Sequence, residues 1–125
     1  MAEKKMDPVV KAAWVAALRS GKYEQGKGKL RSEDDKYCCL GVLCELAVEA
    51  GVIKPAKTSF SRFYYNYDGA GGMPSSPVLD WAGFDPETWA GPSVTISGVE
   101  GPMPYHNDEA GATFNQIADA IEAQL

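Results

Sequence analysis

The chain is short of the residues that usually carry chemistry. It has one histidine and three cysteines in 125 residues. The cysteines are odd in number and crowded into "CCLGVLC", so they do not form a disulfide framework. A reducing compartment suits them. Their spacing is not that of a zinc site, which wants C-x₂₋₄-C and a second pair elsewhere. No apolar run approaches the roughly 20 residues that a bilayer crossing requires. The start, "MAEKKMDPVV", has charge but neither an apolar signal core nor a cleavage pattern. These features point to a cytoplasmic chain without a membrane partner. Positive charge is also scarce. Twelve Lys and Arg face 17 Asp and Glu, a net charge of −5. That disfavours a general nucleic-acid binder, whose affinity comes mostly from cations meeting phosphates. There is no internal repeat, linker or low-complexity tail.

What is present is ordinary for a folded protein: 45% hydrophobic and 23% charged residues, enough for one core. The pattern predicts one α+β domain over residues 1–125, with three main helices, a short helix and a small antiparallel sheet. "MDPVVKAAWVAALRSGK" reads as the first helix, with Asp7 as N-cap, Pro8 at the first position and Gly21 as stop. Val10, Ala13, Trp14, Ala17 and Leu18 share its predicted buried face. "YCCLGVLCELAVEAGV" reads as a central helix, apolar on most sides, ending at Gly51. Gly41 inside it predicts the close approach of another backbone. "KLRSEDDKY" reads as two extended pieces around a turn at Ser32–Asp35. Phe63, Tyr65 and Tyr67 alternate as in a strand, and "SVTISGV" is a second strand; the two are expected to pair. "SPVLDWAGF" reads as the short helix, with Ser76 as cap and Gly83 as stop. "ATFNQIADAIEAQL" reads as the last helix, opened by a Thr113–Gln116 capping box, with Phe114, Ile117, Ala118 and Ile121 inward.

"GKYEQGKGK" nearly spells a phosphate-binding loop. Gly21, Gly26 and Lys27 fit G-x-x-x-x-G-K, but Gly28 stands where Ser or Thr would hold magnesium. That loop follows a strand and opens a helix, whereas here a helix precedes it. The stretch therefore reads as a flexible basic turn. Lys22, Lys27, Lys29 and Arg31 could clamp a phosphate or carboxylate, or form a solvated edge balanced by Glu33, Asp34 and Asp35.

Cys38, Cys39 and Cys44 read as small apolar residues of a packed helix. The sharper alternative is a thiolate near a helix N-terminus, with His106 as its base beside Asn107 and Asp108. His106, Asn107 and Asp108 themselves read either as a turn before the last helix or as contacts to a polar ligand. Tyr64, Tyr65, Tyr67, Trp81, Trp89 and Tyr105 are the aromatic supply, mostly core, with an exposed subset suited to stacking a nucleobase.

Three segments, "KYCCLGVLCELAVEAGVI", "SSPVLDWAGF" and "HNDEAGATFNQIADAIEAQL", together resemble a family of small proteins of tailed bacteriophages and actinobacterial genomes. Members commonly show a CCLGVLC-(D/E)-LA helix and a terminal LND…TF..IA..IE stretch; His106 stands where Leu is usual. The resemblance covers most of the chain, least at residues 54–75. It implies a phage or prophage origin and supplies no activity. By analogy with small acidic phage proteins, the expectation is an accessory protein that sequesters a small anionic, nucleotide-derived host signal without turnover and without a cofactor. Lys27, Lys29 and Arg31 would meet phosphate, Tyr64, Tyr65 or Trp81 would stack the base, and His106, Asn107 and Asp108 would surround ribose or base. A homo-oligomer is compatible with this. The alternatives are a protein-interaction module that inhibits a host protein through an aromatic surface, and a Cys-dependent hydrolase.

Overall fold

A computed structural model describes residues 6–32, 34–58, 64–67, 74–84 and 93–125; for residues 58 and 64–66 the description covers the backbone only. Phe63, Trp89, Glu33 and the Gly-rich turn before Pro74 lie outside these residues.

Helix α1 spans Pro8–Arg19, with Asp7 as its N-cap accepting from the amides of Val9 and Val10. Its buried side is Val10, Trp14, Val15 and Leu18. Ala13, expected inside, is exposed, and Val15 takes its place. The helix is apolar nearly all round, so periodicity alone does not fix which arc faces the core; packing by a later helix decides. Helix α2 spans Cys39–Glu49 and runs through the centre, with Leu40, Val42, Leu43, Cys44 and Ala47 all within 1% of full burial. The indole of Trp14 donates to the Cys39 carbonyl at 2.9 Å, pinning the two helices together.

Gly41 is where the backbone approach predicted from the sequence occurs. A Cβ there would stand 1.7 Å from the Leu30 carbonyl oxygen, so no larger residue fits. The expected stops at Gly21, Gly51 and Gly83 all have positive φ, at 76°, 77° and 89°.

The principal sheet has the order β1-β3-β2-β5-β4, built from very short strands: β1 Glu24–Gln25, β2 Arg31–Ser32, β3 Lys36–Tyr37, β4 Lys57–Thr58 and β5 Tyr64–Asn66. β2 and β3 are the two extended pieces expected around Ser32–Asp35. Asp35 closes that turn with φ 60°. β1 pairs parallel to β3, and the other neighbours are antiparallel.

The expected pairing of the aromatic strand with residues 93–96 does not form. β5 pairs with β2 and β4. β6 (Ser93–Ile96) instead pairs with β7 (Val99–Pro102) in a separate hairpin. The reason is local: Ser97 and Gly98 both have positive φ, 52° and 80°, which is the two-residue turn that matches strand twist and zips β6 onto β7. Val99–Pro102 lacks alternation and contains Gly and Pro, so periodicity does not mark it as a strand.

Helix α3, Ser76–Ala82, starts one residue earlier than expected. Ser75 occupies the cap position and makes no side-chain cap bond. The "HND" segment is not a turn. It forms the second half of helix α4, Met103–Asp108, which follows directly from β7. Helix α5, Phe114–Gln124, carries both halves of the Thr113–Gln116 capping box and buries Phe114, Ile117, Ala118, Ala120 and Ile121. It packs along α1. The whole is a single small α+β domain. Among the described residues no helix is long and apolar enough to cross a membrane.

Candidate functional site

Two backbone amides of the basic turn point inward. In a phosphate loop the backbone amides point at the ligand. Here the Gly26 amide donates to the Tyr37 carbonyl at 2.7 Å, and the Gly28 amide donates to Asp108 Oδ1 at 2.9 Å. Arg31 is half-buried; its Nε and Nη2 both reach Asp35 Oδ1, at 2.9 and 2.7 Å, and its guanidinium lies 5.4 Å from the centre of the Tyr37 ring. Lys29 is half-buried, and Lys27 is exposed at the tip of the turn. Lys22 reaches Glu49 at 3.7 Å.

The residues expected to surround a ribose or base are turned inward. Asn107 is fully buried, and both ends of its amide are filled. Its Oδ1 accepts from the Cys39 amide at 3.2 Å and from Gln25 Nε2 at 2.9 Å. Its Nδ2 donates to the Gly26 carbonyl and to Asp108 Oδ1, both at 2.8 Å. The Cys39 amide can only donate and the Gly26 carbonyl can only accept, so the orientation of this amide is determined. Asn107 therefore caps α2, holds β1 through Gln25 and anchors the basic turn, with no hydrogen-bonding capacity left for a ligand. Asp108, half-buried, accepts from the Gly28 amide and from Asn107 Nδ2, both at Oδ1. His106 is 1% exposed, with Nε2 donating to the Val94 carbonyl at 2.8 Å and Nδ1 buried without a partner. The signal for this role was the Asn itself: a short amide side chain beside a glycine-containing turn is suited to hold backbone groups.

The cysteines are buried, at 6%, 0% and 0% exposure for Cys38, Cys39 and Cys44. Burial pushes the Cys38 thiol up to about 11, and Cys39 and Cys44 well above the ordinary thiol value. A nucleophilic thiolate needs the opposite environment, exposed and electropositive. Cys38 instead accepts from the Gly41 amide as the N-cap of α2.

Most aromatic rings in the described residues are structural. Trp14, Tyr37, Tyr67, Phe84 and Phe114 are buried, Tyr23 packs edge-on against Tyr37 at 5.1 Å, and Tyr67 donates to Glu45 Oε2 at 2.7 Å. Tyr64 and Tyr65 sit on β5, and their side chains lie outside the described residues. Tyr105 is 41% exposed. Trp81, half-buried, meets an opening.

That opening is a groove of about 510 Å³ between α1, α2 and α3. Its apolar lining is Val9, Val10, Ala13, Leu46, Ala50 and Trp81, and its charged lining is Asp7 and Glu49. No Lys or Arg is among the lining residues. α1 leaves an apolar arc outside: Val9, 77% exposed, and Ala13 line this groove, while the exposed Pro8, Ala12 and Ala16 line the next one. On the other side of α1 a second groove of about 470 Å³ contains Lys11, Arg19 and Glu122, where Arg19 is already paired with Asp119 and Glu122. The charged lining residues of the Trp81 groove are both carboxylates, Asp7 as the N-cap of α1 and Glu49 3.7 Å from Lys22, the sign opposite to the one expected for an anionic ligand. An indole face flanked by carboxylates attracts a cation.

A family model described as Domain of unknown function (DUF8296) matches residues 6–125. No curated protein and no solved structure matches the chain.

Proposed function

We propose that this chain, which belongs to the family Domain of unknown function (DUF8296), is a protein-interaction module that takes a basic, apolar-anchored helix of a partner protein into the groove between α1, α2 and α3. One observation carries the reading: an exposed apolar helix face shares a groove with Trp81 and two carboxylates, Asp7 and Glu49, and with no cation among the lining residues. An apolar side chain of the partner would sit on Val9, Ala13 and Leu46. A Lys or Arg one helical turn away would lie over Trp81 toward Glu49, displacing the exposed Lys22 contact at 3.7 Å. Exposed pairs of that kind contribute little and exchange readily. The chain's net charge of −5 would steer a basic partner toward it. A stable interface buries on the order of 1,200–2,000 Å², so the groove supplies the anchor and the surrounding α1 face extends the contact.

The biological setting in this proposal is that of a phage-type accessory protein acting on a host protein in the host cytoplasm, as the resemblance suggests. Sequestration of a nucleotide signal has less to draw on: the Gly26 and Gly28 amides, the Asn107 side chain and one oxygen of Asp108 are engaged in internal bonds.

Photo-crosslinking separates the two. A photoreactive residue at position 13 should trap a host protein in cells expressing the chain, and one at position 27 should not. Crosslinks from position 27 alone, or a nucleotide released from purified protein on heat denaturation, would overturn the interaction reading.

A further inference from the structure

The outer edge of β6 is closed by a side chain imitating a strand. Thr95 lies at a non-hydrogen-bonded position of the hairpin, opposite Glu100, so its amide and carbonyl point away from β7. Both are taken by one residue of α5. The Thr95 amide donates to Gln124 Oε1 at 2.7 Å, and Gln124 Nε2 donates to the Thr95 carbonyl at 2.7 Å. These are the two bonds that the peptide groups of a neighbouring strand would make. Both residues are exposed, and an open groove of about 280 Å³ runs beside them, lined in part by Ile96, Ser97, Gln116 and Ala120.

We propose that Gln124 is an edge guard, and that the surface it covers is a self-association site for β6 of a second copy of this chain. The geometry of the bonds fits β6 of a second copy. In an antiparallel pair, two residues facing each other at a hydrogen-bonded position exchange both N–H···O bonds. A two-fold axis beside Thr95 would set Thr95 against Thr95 of the second copy and restore the same two bonds that Gln124 makes now. Such an interface is isologous and closes at a dimer. An unguarded edge strand is a template for this pairing. The groove lies along this side of β6, where the incoming strand would enter once the Gln124 side chain rotates out. Asp119 lines that groove but is held by Arg19, so it does not oppose the second copy as a bare charge. This inference is independent of the α1 groove.

The test compares wild type, Gln124→Ala, and Gln124→Ala combined with Thr95→Pro. Dimerisation is measured by analytical ultracentrifugation, and exchange of the Thr95 amide by hydrogen–deuterium exchange. Gln124→Ala should tighten dimerisation at least tenfold, with the Thr95 amide protected in the dimer. Adding Thr95→Pro removes the outward donor, which an edge position tolerates, and should return the chain to wild-type behaviour. If the Thr95 amide exchanges faster in Gln124→Ala while self-association stays within twofold of wild type, Gln124 is only a tether between α5 and the hairpin, and the proposal fails. It also fails if Gln124→Ala dimerises and Thr95→Pro leaves that dimer intact.

Discussion

The side-chain oxygen of Asn107 accepts a hydrogen bond from the backbone amide of Cys39 at 3.2 Å, across 68 residues of sequence. The same amide group holds Gln25, Gly26 and Asp108, so one buried side chain ties α4 to the start of α2, to β1 and to the basic turn. Asn107→Ala would leave the Cys39 amide and the Gly26 carbonyl without these partners. At about 1–3 kcal/mol for each buried group left unsatisfied, the loss should be on the order of 3 kcal/mol. Asn107→Asp should be no better, because a carboxylate would face the Gly26 carbonyl and Asp108. Urea denaturation measures both, and a loss below about 1 kcal/mol for Asn107→Ala would show that the network is not what holds these elements.

Gly41→Ala should abolish folding or cost more than about 4 kcal/mol, since the new methyl would overlap the Leu30 carbonyl and backbone must move. Ala50→Ser, at an exposed position of the same segment, is the control and should stay within about 0.5 kcal/mol of wild type. A Gly41→Ala variant with an unchanged urea midpoint would place Leu30 elsewhere.

His106→Leu should fold with little loss. The imidazole gives one bond, to the Val94 carbonyl, and leaves Nδ1 buried and unpartnered. Leucine removes the bond and the orphaned atom together, so the net change should be within about 1.5 kcal/mol. A variant that cannot be purified folded would mean that the imidazole does more than fill this space.

Stability should fall in alkali. Burial raises the Cys38 thiol to about 11 from an ordinary 9.0, raises Cys39 and Cys44 in the same direction, and raises Tyr37 to about 12 from 10.0. Above pH 9 the unfolded chain's thiols ionise while the folded chain's stay protonated, so the folded state binds more protons and loses stability as pH rises. The stability is fully present below pH 9 and is lost as pH climbs through 11 and, for Tyr37, toward 12. The melting temperature should be level from pH 7 to about 8.5 and then decline, with a shallower decline in Cys44→Ala. That variant should also be less stable by about 1 kcal/mol at neutral pH. A melting temperature that holds or rises between pH 9 and 11 would contradict the burial of these thiols.

Much of the fold was legible because its signals are local. Asp7, Gly21, Gly51, Gly83 and the Thr113–Gln116 pair mark helix ends through backbone chemistry that does not depend on the rest of the chain. Gly41 announced a close backbone approach, though not that Leu30 would supply it. The parts that were not legible are decided at long range. β5 alternates like a strand, but nothing in its sequence says that Arg31–Ser32 is its partner. Helix α4 is six residues long, too short for periodicity, so "HND" read as a turn. A run of Lys and Gly suggests an anion clamp; what it does not announce is that Asp108 bonds the Gly28 amide and Asn107 the Gly26 carbonyl from far along the chain. The groove at Trp81 draws on α1, α2 and α3, and its acidic character appears only when Asp7 and Glu49 are brought together.

The central claim is that binding runs through the α1–α2–α3 groove and not through the basic turn. The decisive measurement is a calorimetric titration of the host protein trapped from position 13 into three forms of the chain: wild type, Val9→Lys with Glu49→Lys, and Lys27→Ala with Lys29→Ala. All four sites are exposed or half-exposed, so the melting temperatures should stay close to wild type. Removing the exposed apolar anchor and reversing the rim charge should weaken binding about a hundredfold, roughly 2.7 kcal/mol, while the double lysine variant should bind within twofold of wild type. Loss of binding in the lysine variant with full affinity in the groove variant would contradict the account.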